Sequence, residues 1–229
     1  MTTQTFADGG VLLHKAPIAR IELNAPARRN AMSRAMWEAL IEICDVIAAD
    51  DTIRVVLLTA AAGEGKPAFC AGADISEFEA VYATEETTRA YNSLVRRAQA
   101  RLRALPRPVI AVIRGACVGG GCGLALAADL RFADTTVRMG ITPTKLGLAY
   151  SPEDTMQLLE KVGPARAKDL LFSARLMDAE EARDCGLIDR LTPPEALGTA
   201  VEDYATSLAA LSAGSIRAAK AIINGLTDP

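Results

Sequence analysis

Two segments rich in small residues are the first candidates for chemistry. Phe69–Ser76 reads FCAGADIS and follows a turn at Pro67, and Arg114–Leu124 reads RGACVGGGCGL, with three consecutive glycines where a helix is predicted to begin. Small residues let backbone N–H groups come close to a ligand, because no side chain intervenes. A helix N-terminus adds free N–H donors and partial positive charge, which suit a developing oxyanion. Alone, each segment fits a tight turn or a packing contact equally well, but together they favour a backbone anion site.

Hydrophobic patterning indicates the strands that carry these segments. Residues 10–15 and 18–23 are short β-rich runs on either side of Ala16-Pro17, which predicts a hairpin. The continuous β-branched runs 54–59 and 109–113 are typical of strands buried on both faces. A repeated order of strand, turn and helix therefore predicts a layered α/β fold.

Apolar residues that recur every three or four positions predict the helices. The first begins after a Ser33 cap and stops at Asp50-Asp51, and a long arginine-rich helix covers 85–103 with a basic face that is typically solvated. After Thr142 the chain becomes mostly helical. The predicted helices there are 152–161, 164–172, 179–184, 196–211 and 215–224, and the glycine-rich turn at 116 runs into a helix as far as Asp129.

Composition excludes several classes of function. The chain has 229 residues, half of them apolar, which allows one sizeable core and an appendage. Its net charge of −3, with both signs interspersed, argues against a nucleic-acid partner. It contains no run of about 18 apolar residues and no basic leader, so we expect no membrane span and a cytoplasmic location.

The cysteines and the histidine also limit the chemistry. Five cysteines without a C-x-x-C pair predict reduced, mostly core-filling thiols. His14 is the only histidine and lies in an apolar strand-like run, which favours a strand position near the surface. A histidine-based zinc site or a catalytic triad would depend on this one residue, so we expect no metal site.

Taken together, the motifs resemble those of the crotonase (enoyl-CoA hydratase/isomerase) superfamily. The resemblance runs through nearly all of the chain, in the order and spacing of its motifs. They are NAP at Asn24 through NAM at Asn30, Phe69–Ile75, PVIA at Pro108 through Asp129, KLG at Lys145, and Ala179–Asp189.

The resemblance implies a crotonase-like spiral of ββα units over 1–195 with a C-terminal helical segment over 196–229. It implies an acyl-CoA substrate whose thioester oxygen lies between the backbone N–H groups of Ala73 and Gly120. Coenzyme A then enters as part of the substrate, and no separate cofactor is expected. Either Arg28 or Arg29 would contact a CoA phosphate. The other substrate-binding positions implied are Ala31, Ala71, Asp74, Ile75, Gly119, Gly123 and Pro143.

Two departures from the family pattern bear on the reaction. Hydratases of this family carry one glutamate directly after GGGC, where this chain has Gly123. They carry a second one three residues beyond the glycine matched by Gly140, where this chain has Pro143. Adding water to a conjugated thioester needs a base for the water and an acid for the α-carbon. Neither residue moves a proton, so ordinary hydration is not expected.

The loop after Pro143 holds the remaining candidates. Its TP…LG…Y pattern, ending at Tyr150, resembles the loop of family decarboxylases that act on malonyl-type CoA thioesters. Tyr150 is a candidate proton donor there, although such decarboxylases often carry a histidine at the position of Ala73. Glu153 and Asp154 are candidate catalytic acids, and the alternative is that they only form the first turn of a helix behind Pro152.

Three functions are therefore open. They are an enoyl-CoA hydratase or isomerase of fatty acid metabolism with relocated acid/base groups, a decarboxylase or related CoA lyase, and a non-catalytic acyl-CoA-binding relative. The intact oxyanion segments favour an enzyme, and we predict a family-level lyase. The family resemblance and the apolar stretch 196–211 predict a homotrimer or a dimer of trimers. The family normally continues into another helical segment beyond a helix like 215–224.

Overall fold

The computed structural model describes residues 2–227, in which eleven strands form two sheets surrounded by helices. Residues 1, 228 and 229 of the predicted ranges 1–195 and 196–229 lie outside the described residues. The strands are β1 (Thr2–Phe6), β2 (Val11–Lys15), β3 (Ile18–Leu23), β4 (Val55–Ala60), β5 (Ala68–Cys70), β6 (Val109–Ile113), β7 (Ala116–Val118), β8 (Leu130–Asp134), β9 (Arg138–Gly140), β10 (Met177–Asp178) and β11 (Arg190–Thr192). The α-helices are α1 (Arg34–Ala48), α2 (Phe78–Val81), α3 (Glu85–Arg103), α4 (Gly120–Leu126), α5 (Pro152–Ser173), α6 (Ala179–Asp184), α7 (Leu197–Ala209) and α8 (Ala213–Thr227).

The larger sheet has seven strands in the order β1-β2-β3-β4-β6-β8-β11. Strands β2 and β3 form the predicted hairpin, and β3, β4, β6, β8 and β11 run parallel. Strand β1 pairs antiparallel with β2 at the edge of the sheet. The sequence did not predict β1, because its mostly polar and exposed residues, TTQTF, carry little hydrophobic signal.

The smaller sheet has the order β10-β9-β7-β5 and shows how the chain repeats a ββα unit. The first strand of each unit, β4, β6 or β8, lies in the larger sheet, and the next, β5, β7 or β9, crosses into the smaller one before the helix. The mixed α/β fold is therefore confirmed. Because β5, β7 and β9 are parallel neighbours, the loops that follow them meet at one edge.

Two hydrophobic clusters hold the layers together. The larger one includes the buried face of α1, with Trp37 and Leu40 fully buried. The smaller one lies on the other side of the larger sheet, where Val201 of α7 packs with Leu57 and Phe132. The apolar face of the predicted helix 196–211 is therefore covered by the chain's own sheet, and it needs no partner subunit for that purpose.

Most helix boundaries agree with the sequence pattern. Helix α3 has the predicted bounds, and Ser33 caps α1 by accepting the Met36 N–H. Gly163 interrupts α5 with φ 72° and ψ 170°, at the boundary predicted between 152–161 and 164–172. Helix α4 is shorter than predicted and ends at Leu126.

The cysteine and histidine predictions are also confirmed. All five cysteines are free thiols, and all but Cys185 are buried. His14 lies on β2, where its ring bonds to Thr3 and Glu22. Among residues 2–227, no helix combines the length and the apolar character that crossing a bilayer requires.

Candidate active site

A cavity of about 400 Å³ lies where the loops after β5, β7 and β9 meet. The two small-residue segments form one wall, through Ala71–Ala73 and Gly119-Gly120. The opposite wall comes from α3 and the loop 142–151 that leads to α5. Aromatic and aliphatic side chains supply most of the remaining lining, namely Trp37, Ile75, Phe78, Tyr82, Val95, Leu146 and Leu148. Such a lining suits an acyl chain.

Ala73 and Gly120 each contribute a backbone N–H group to this wall. Neither N–H donates to a backbone or side-chain acceptor among the hydrogen bonds of the described residues. Gly120 is the first residue of α4, where an N–H has no acceptor in a preceding turn. A Cβ built on Gly120 would lie 3.6 Å from the Ala73 nitrogen, so the two donors border the same small space.

Glycine is required at two positions for this approach. Gly72 has φ 110°, and a Cβ there would lie 3.1 Å from the carbonyl oxygen of Val118. At Gly121 a Cβ would lie 2.4 Å from the carbonyl oxygen of Cys70. These contacts bring the end of β5 against the start of α4, and side chains would force the two donors apart.

The loop that follows β3 supports the segment holding Ala73. Met32 donates its N–H to the Gly72 carbonyl at 2.8 Å and accepts from the Asp74 N–H at 3.0 Å. In this parallel bridge the N–H of the intervening Ala73 points away from Met32. The fully buried Asn30 side chain ties the loop to the carbonyls of Ala61 and Ala68.

Three polar side chains converge on the Cα of Gly123. A Cβ built there would lie 2.7 Å from Asp154 Oδ1, 2.8 Å from Gln99 Nε2 and 3.0 Å from the Tyr150 hydroxyl. These three atoms are buried and lack a hydrogen-bond partner within residues 2–227. Position 123 carries no side chain, and the Asp154 carboxylate of α5 lies in the space that a side chain there would occupy.

Burial raises the pKa values of two groups in this cluster. Burial raises the pKa of the Asp154 carboxyl, although the hydrogen bond from the Ser151 hydroxyl, at 2.9 Å, and the neighbouring Gln99 amide oppose the shift. Burial also raises the pKa of Tyr150 well above its ordinary value, and the nearby Asp154 carboxylate adds to the rise. Tyr150 therefore stays a neutral donor, whereas Asp154 is an acid whose pKa is displaced toward neutral pH.

Two of the three predicted acid candidates face the cavity, and the third does not. Tyr150 and Asp154 both line the cavity. Glu153 points away and pairs with Arg96 at 3.1 Å, with both side chains about half exposed. Ser151 caps α5 and Pro152 is its first residue, so the predicted helix start is confirmed. Asp154 belongs to that first turn and also faces the cavity.

Some of the predicted substrate-binding positions line the cavity, and others lie beside or beneath it. Ala71, Ile75, Gly119 and Pro143 line the cavity, and Gly123 lies beneath Asp154. Asp74 accepts from Ser76 and pairs with Arg28 at 2.8 Å. The Arg29 carbonyl accepts the Ala71 N–H, and Ala31 is buried in the same loop. Contact of Arg28 or Arg29 with a CoA phosphate stays a prediction.

Sequence reasoning missed one wall of the cavity. Helix α3 contributes Thr88, Tyr91, Asn92, Val95 and Arg96, and Trp37 of α1 donates to the Tyr91 hydroxyl at 3.3 Å. These α3 positions recur every three or four residues, so the helical period contained the signal. The arginines of α3 instead led to the prediction of a solvated basic face.

Comparison with known proteins identifies the class. The family model for enoyl-CoA hydratase/isomerase matches residues 14–228. The crotonyl-CoA hydratase of Syntrophomonas wolfei is 31% identical over 217 residues, which cover 93% of this chain and 80% of that protein. A crystal structure of an enoyl-CoA hydratase/carnithine racemase from Magnetospirillum magneticum is similar with a TM-score of 0.91 and 37% identity, covering 96% of this chain and 82% of that one. An enoyl-CoA hydratase structure from Bacillus anthracis gives 0.88 and 34%, covering 96% and 84%.

Fold and motifs together define a member of the crotonase superfamily. Within that superfamily, the chain belongs to the enoyl-CoA hydratase/isomerase family.

Proposed function

We propose that this protein is an acyl-CoA enzyme that stabilises a thioester enolate with the backbone N–H groups of Ala73 and Gly120. The observation that carries the proposal is the pair of unpartnered donors that border one space in the wall of an apolar cavity. Donors fixed before the reaction stabilise charge that develops on the thioester oxygen, and one such donor typically contributes about 3 kcal/mol.

Asp154 is the proton-transfer group in this proposal. Its carboxylate takes a proton from the substrate α-carbon, and the electron pair of the broken C–H bond moves onto the thioester oxygen. The same carboxyl then returns the proton at the γ-carbon, which shifts a double bond. One carboxylate suffices for this isomerisation, whereas hydration needs a second group to activate water. The single buried carboxylate of the cluster therefore favours isomerisation over hydration.

The neutral, buried Tyr150 hydroxyl favours a second candidate function. Decarboxylation of a malonyl-type thioester forms the enolate by losing carbon dioxide and then needs a proton donor but no base. Tyr150 meets that need. Against it, the ionised Asp154 would repel the substrate's own carboxylate at close range.

A substrate panel tests both functions. We expect the wild type to isomerise 3-enoyl-CoA and dienoyl-CoA substrates, to decarboxylate methylmalonyl-CoA slowly, and to hydrate crotonyl-CoA very poorly. Asp154→Asn should lower isomerisation about 10²- to 10⁴-fold. Glu153→Gln is the matched control in the same helical turn, and it should leave the rate unchanged because Glu153 faces away.

Several outcomes would contradict this assignment. Robust crotonyl-CoA hydration that survives Asp154→Asn and Tyr150→Phe would refute the role of the cluster. Methylmalonyl-CoA turnover lost only in Tyr150→Phe would favour the decarboxylase. Tight acyl-CoA binding without turnover of any substrate would favour a non-catalytic relative.

A further inference from the structure

A second opening lies between α3 and α5. This groove has a volume of about 340 Å³ and is separate from the cavity that holds the two N–H donors. Gln99 lines it from α3 and Gln157 from α5. Arg96 borders both spaces, and its ion pair with Glu153 connects the two helices at the boundary.

Buried polar atoms without partners connect the groove to Asp154. Gln99, Asp154 and Gln157 are 3%, 7% and 9% exposed. Gln99 Nε2, Asp154 Oδ1 and Gln157 Oε1 are buried and make no hydrogen bond to any residue of the described range. A buried polar group that stays unsatisfied destabilises the fold. Three of them, two on residues that line the groove, therefore point to a partner that is not part of the protein.

The three atoms match the needs of water. One is a donor and two are acceptors, and a buried water typically makes about three hydrogen bonds. Gln99 Nε2 and Asp154 Oδ1 are neighbours, since each lies within 2.8 Å of the position that a Cβ on Gly123 would occupy. Gln157 lies three residues after Asp154 on α5, on the same side of the helix and toward the groove.

We propose that water held by Gln99 and Gln157 in this groove exchanges the proton of Asp154 with solvent while an acyl-CoA fills the front cavity. The inference rests on the proposed function of Asp154. In this proposal the acyl chain covers the side of Asp154 that lines the front cavity, and Gln99, which lines the groove and lies beside Asp154, connects the carboxyl group to the groove. The water delivers one proton to the carboxylate and accepts one from the carboxyl, so the enolate is reprotonated with solvent hydrogen.

The experiment compares, in D₂O, the incorporation of solvent deuterium into the substrate with the turnover of the substrate. Butyryl-CoA, which is saturated and can only enolise, reports solvent deuterium entering its α-carbon by mass spectrometry. A 3-enoyl-CoA reports isomerisation and the deuterium incorporated per turnover. The variant Gln157→Leu removes the acceptor at the groove, and Met156→Leu changes an exposed neighbour in the same groove as the matched control.

We expect Gln157→Leu to lower deuterium incorporation per turnover at least about tenfold, because proton exchange depends on the positioned water. Isomerisation itself should change little, since internal return of the proton needs no solvent. Gln157→Glu, which keeps an acceptor oxygen, should restore exchange, and Met156→Leu should resemble the wild type.

Other results would overturn the proposal. Equal deuterium incorporation in wild type and Gln157→Leu would exclude the groove as the route. A parallel loss of isomerisation and exchange in that variant would indicate a structural role for Gln157. Full internal return of the proton in the wild type would also refute the route while leaving the isomerase intact. A wild type that neither exchanges nor isomerises would instead refute the proposed function.

Discussion

At the scale of the residue, the absence of a side chain at Gly123 leaves room for the Asp154 carboxylate. The space above the Gly123 Cα is occupied by the Asp154 carboxylate, the Gln99 amide and the Tyr150 hydroxyl, within 3.0 Å of where a Cβ would stand. A side chain at position 123 and this polar cluster therefore exclude one another. The chain carries a carboxylate at the site, but it comes from a different helix than the sequence motif suggests.

Gly123→Ala tests this exclusion. The new methyl group would collide with the ends of three side chains, which can shift without unfolding the protein, and alanine is the better helix former by about 1 kcal/mol. We expect near wild-type thermal stability and a loss of isomerisation of at least about tenfold, because Asp154 leaves its position. Calorimetry and steady-state kinetics measure the two effects. Undiminished activity would show that Asp154 needs no vacant space at Gly123.

The buried Asp154 also predicts a pH-dependent stability. Burial raises its pKa in the folded state above the ordinary 3.8, so the folded protein binds this proton more tightly than the unfolded chain. The stability associated with that proton is complete below the unfolded pKa and is lost as pH rises through the folded one.

Asp154→Asn removes this loss. We expect the variant to melt a few degrees higher than the wild type at pH 7–8, at about 2–4 °C per kcal/mol for a chain of this size. The difference should narrow as the pH falls toward 4. Melting curves across that range test the sign, and a wild type that is more stable than the variant at pH 8 would contradict the assigned pKa shift.

At the scale of the element, the break in α5 separates the turn that carries Asp154 from the second part of the helix. Gly163 has φ 72°, a left-handed conformation that other residues adopt at a cost, and Pro164 follows it. The first part of α5 presents Asp154 and Gln157 to the site, and the break lets the second part take another direction. Glycine is therefore needed for its backbone and not for space.

Two glycine-to-alanine substitutions separate backbone strain from crowding. A Cβ at Gly163 or at Gly198, within α7, would have no neighbour within 4 Å, and only Gly163 has positive φ. Gly163→Ala should destabilise the fold by about 1–3 kcal/mol, because φ 72° with ψ 170° is a backbone region that only glycine adopts freely. Gly198→Ala should stabilise it slightly, by up to about 0.5 kcal/mol, because alanine is the better helix former and Gly198 lies in the first turn of α7. Chemical denaturation measures both, and effects of the same sign would refute the strain argument.

At the scale of the whole molecule, α8 is the α-helix of residues 2–227 that the other elements cover least. It contains no buried residue, and Ile222, Ile223 and Leu226 are exposed. Lys220 anchors it through Asp129 at 2.8 Å. Exposed apolar side chains of this kind commonly mark a contact surface.

We accordingly still predict a homotrimer or a dimer of trimers. The expectation rests on the family resemblance and on the exposed face of α8, since α7 is covered by the sheet. Sedimentation velocity should give three or six times the chain mass of 24.1 kDa. A monomer at micromolar concentration would refute the prediction.

The sequence alone determined the family, the α/β layering and the segments holding the two backbone donors. Glycine patterns and hydrophobic periods are local signals, and a backbone N–H at Ala73 or Gly120 is present whatever the side chain is. Only the tertiary structure showed that Asp154, and not Glu153, faces the cavity. Adjacent residues on a helix differ by about 100° in direction, so one faces solvent and the other the cavity.

Contacts between elements that are distant in the sequence explain which residues could not be predicted. Gln99 and Gln157 lie on two helices whose contact no local pattern encodes, and their significance depends on the space left by Gly123. Burial and the raised pKa of Asp154 likewise arise from packing between α3, α4 and α5. Chemistry that depends on backbone conformation was predictable from the chain, whereas chemistry that depends on side chains meeting across elements required the fold.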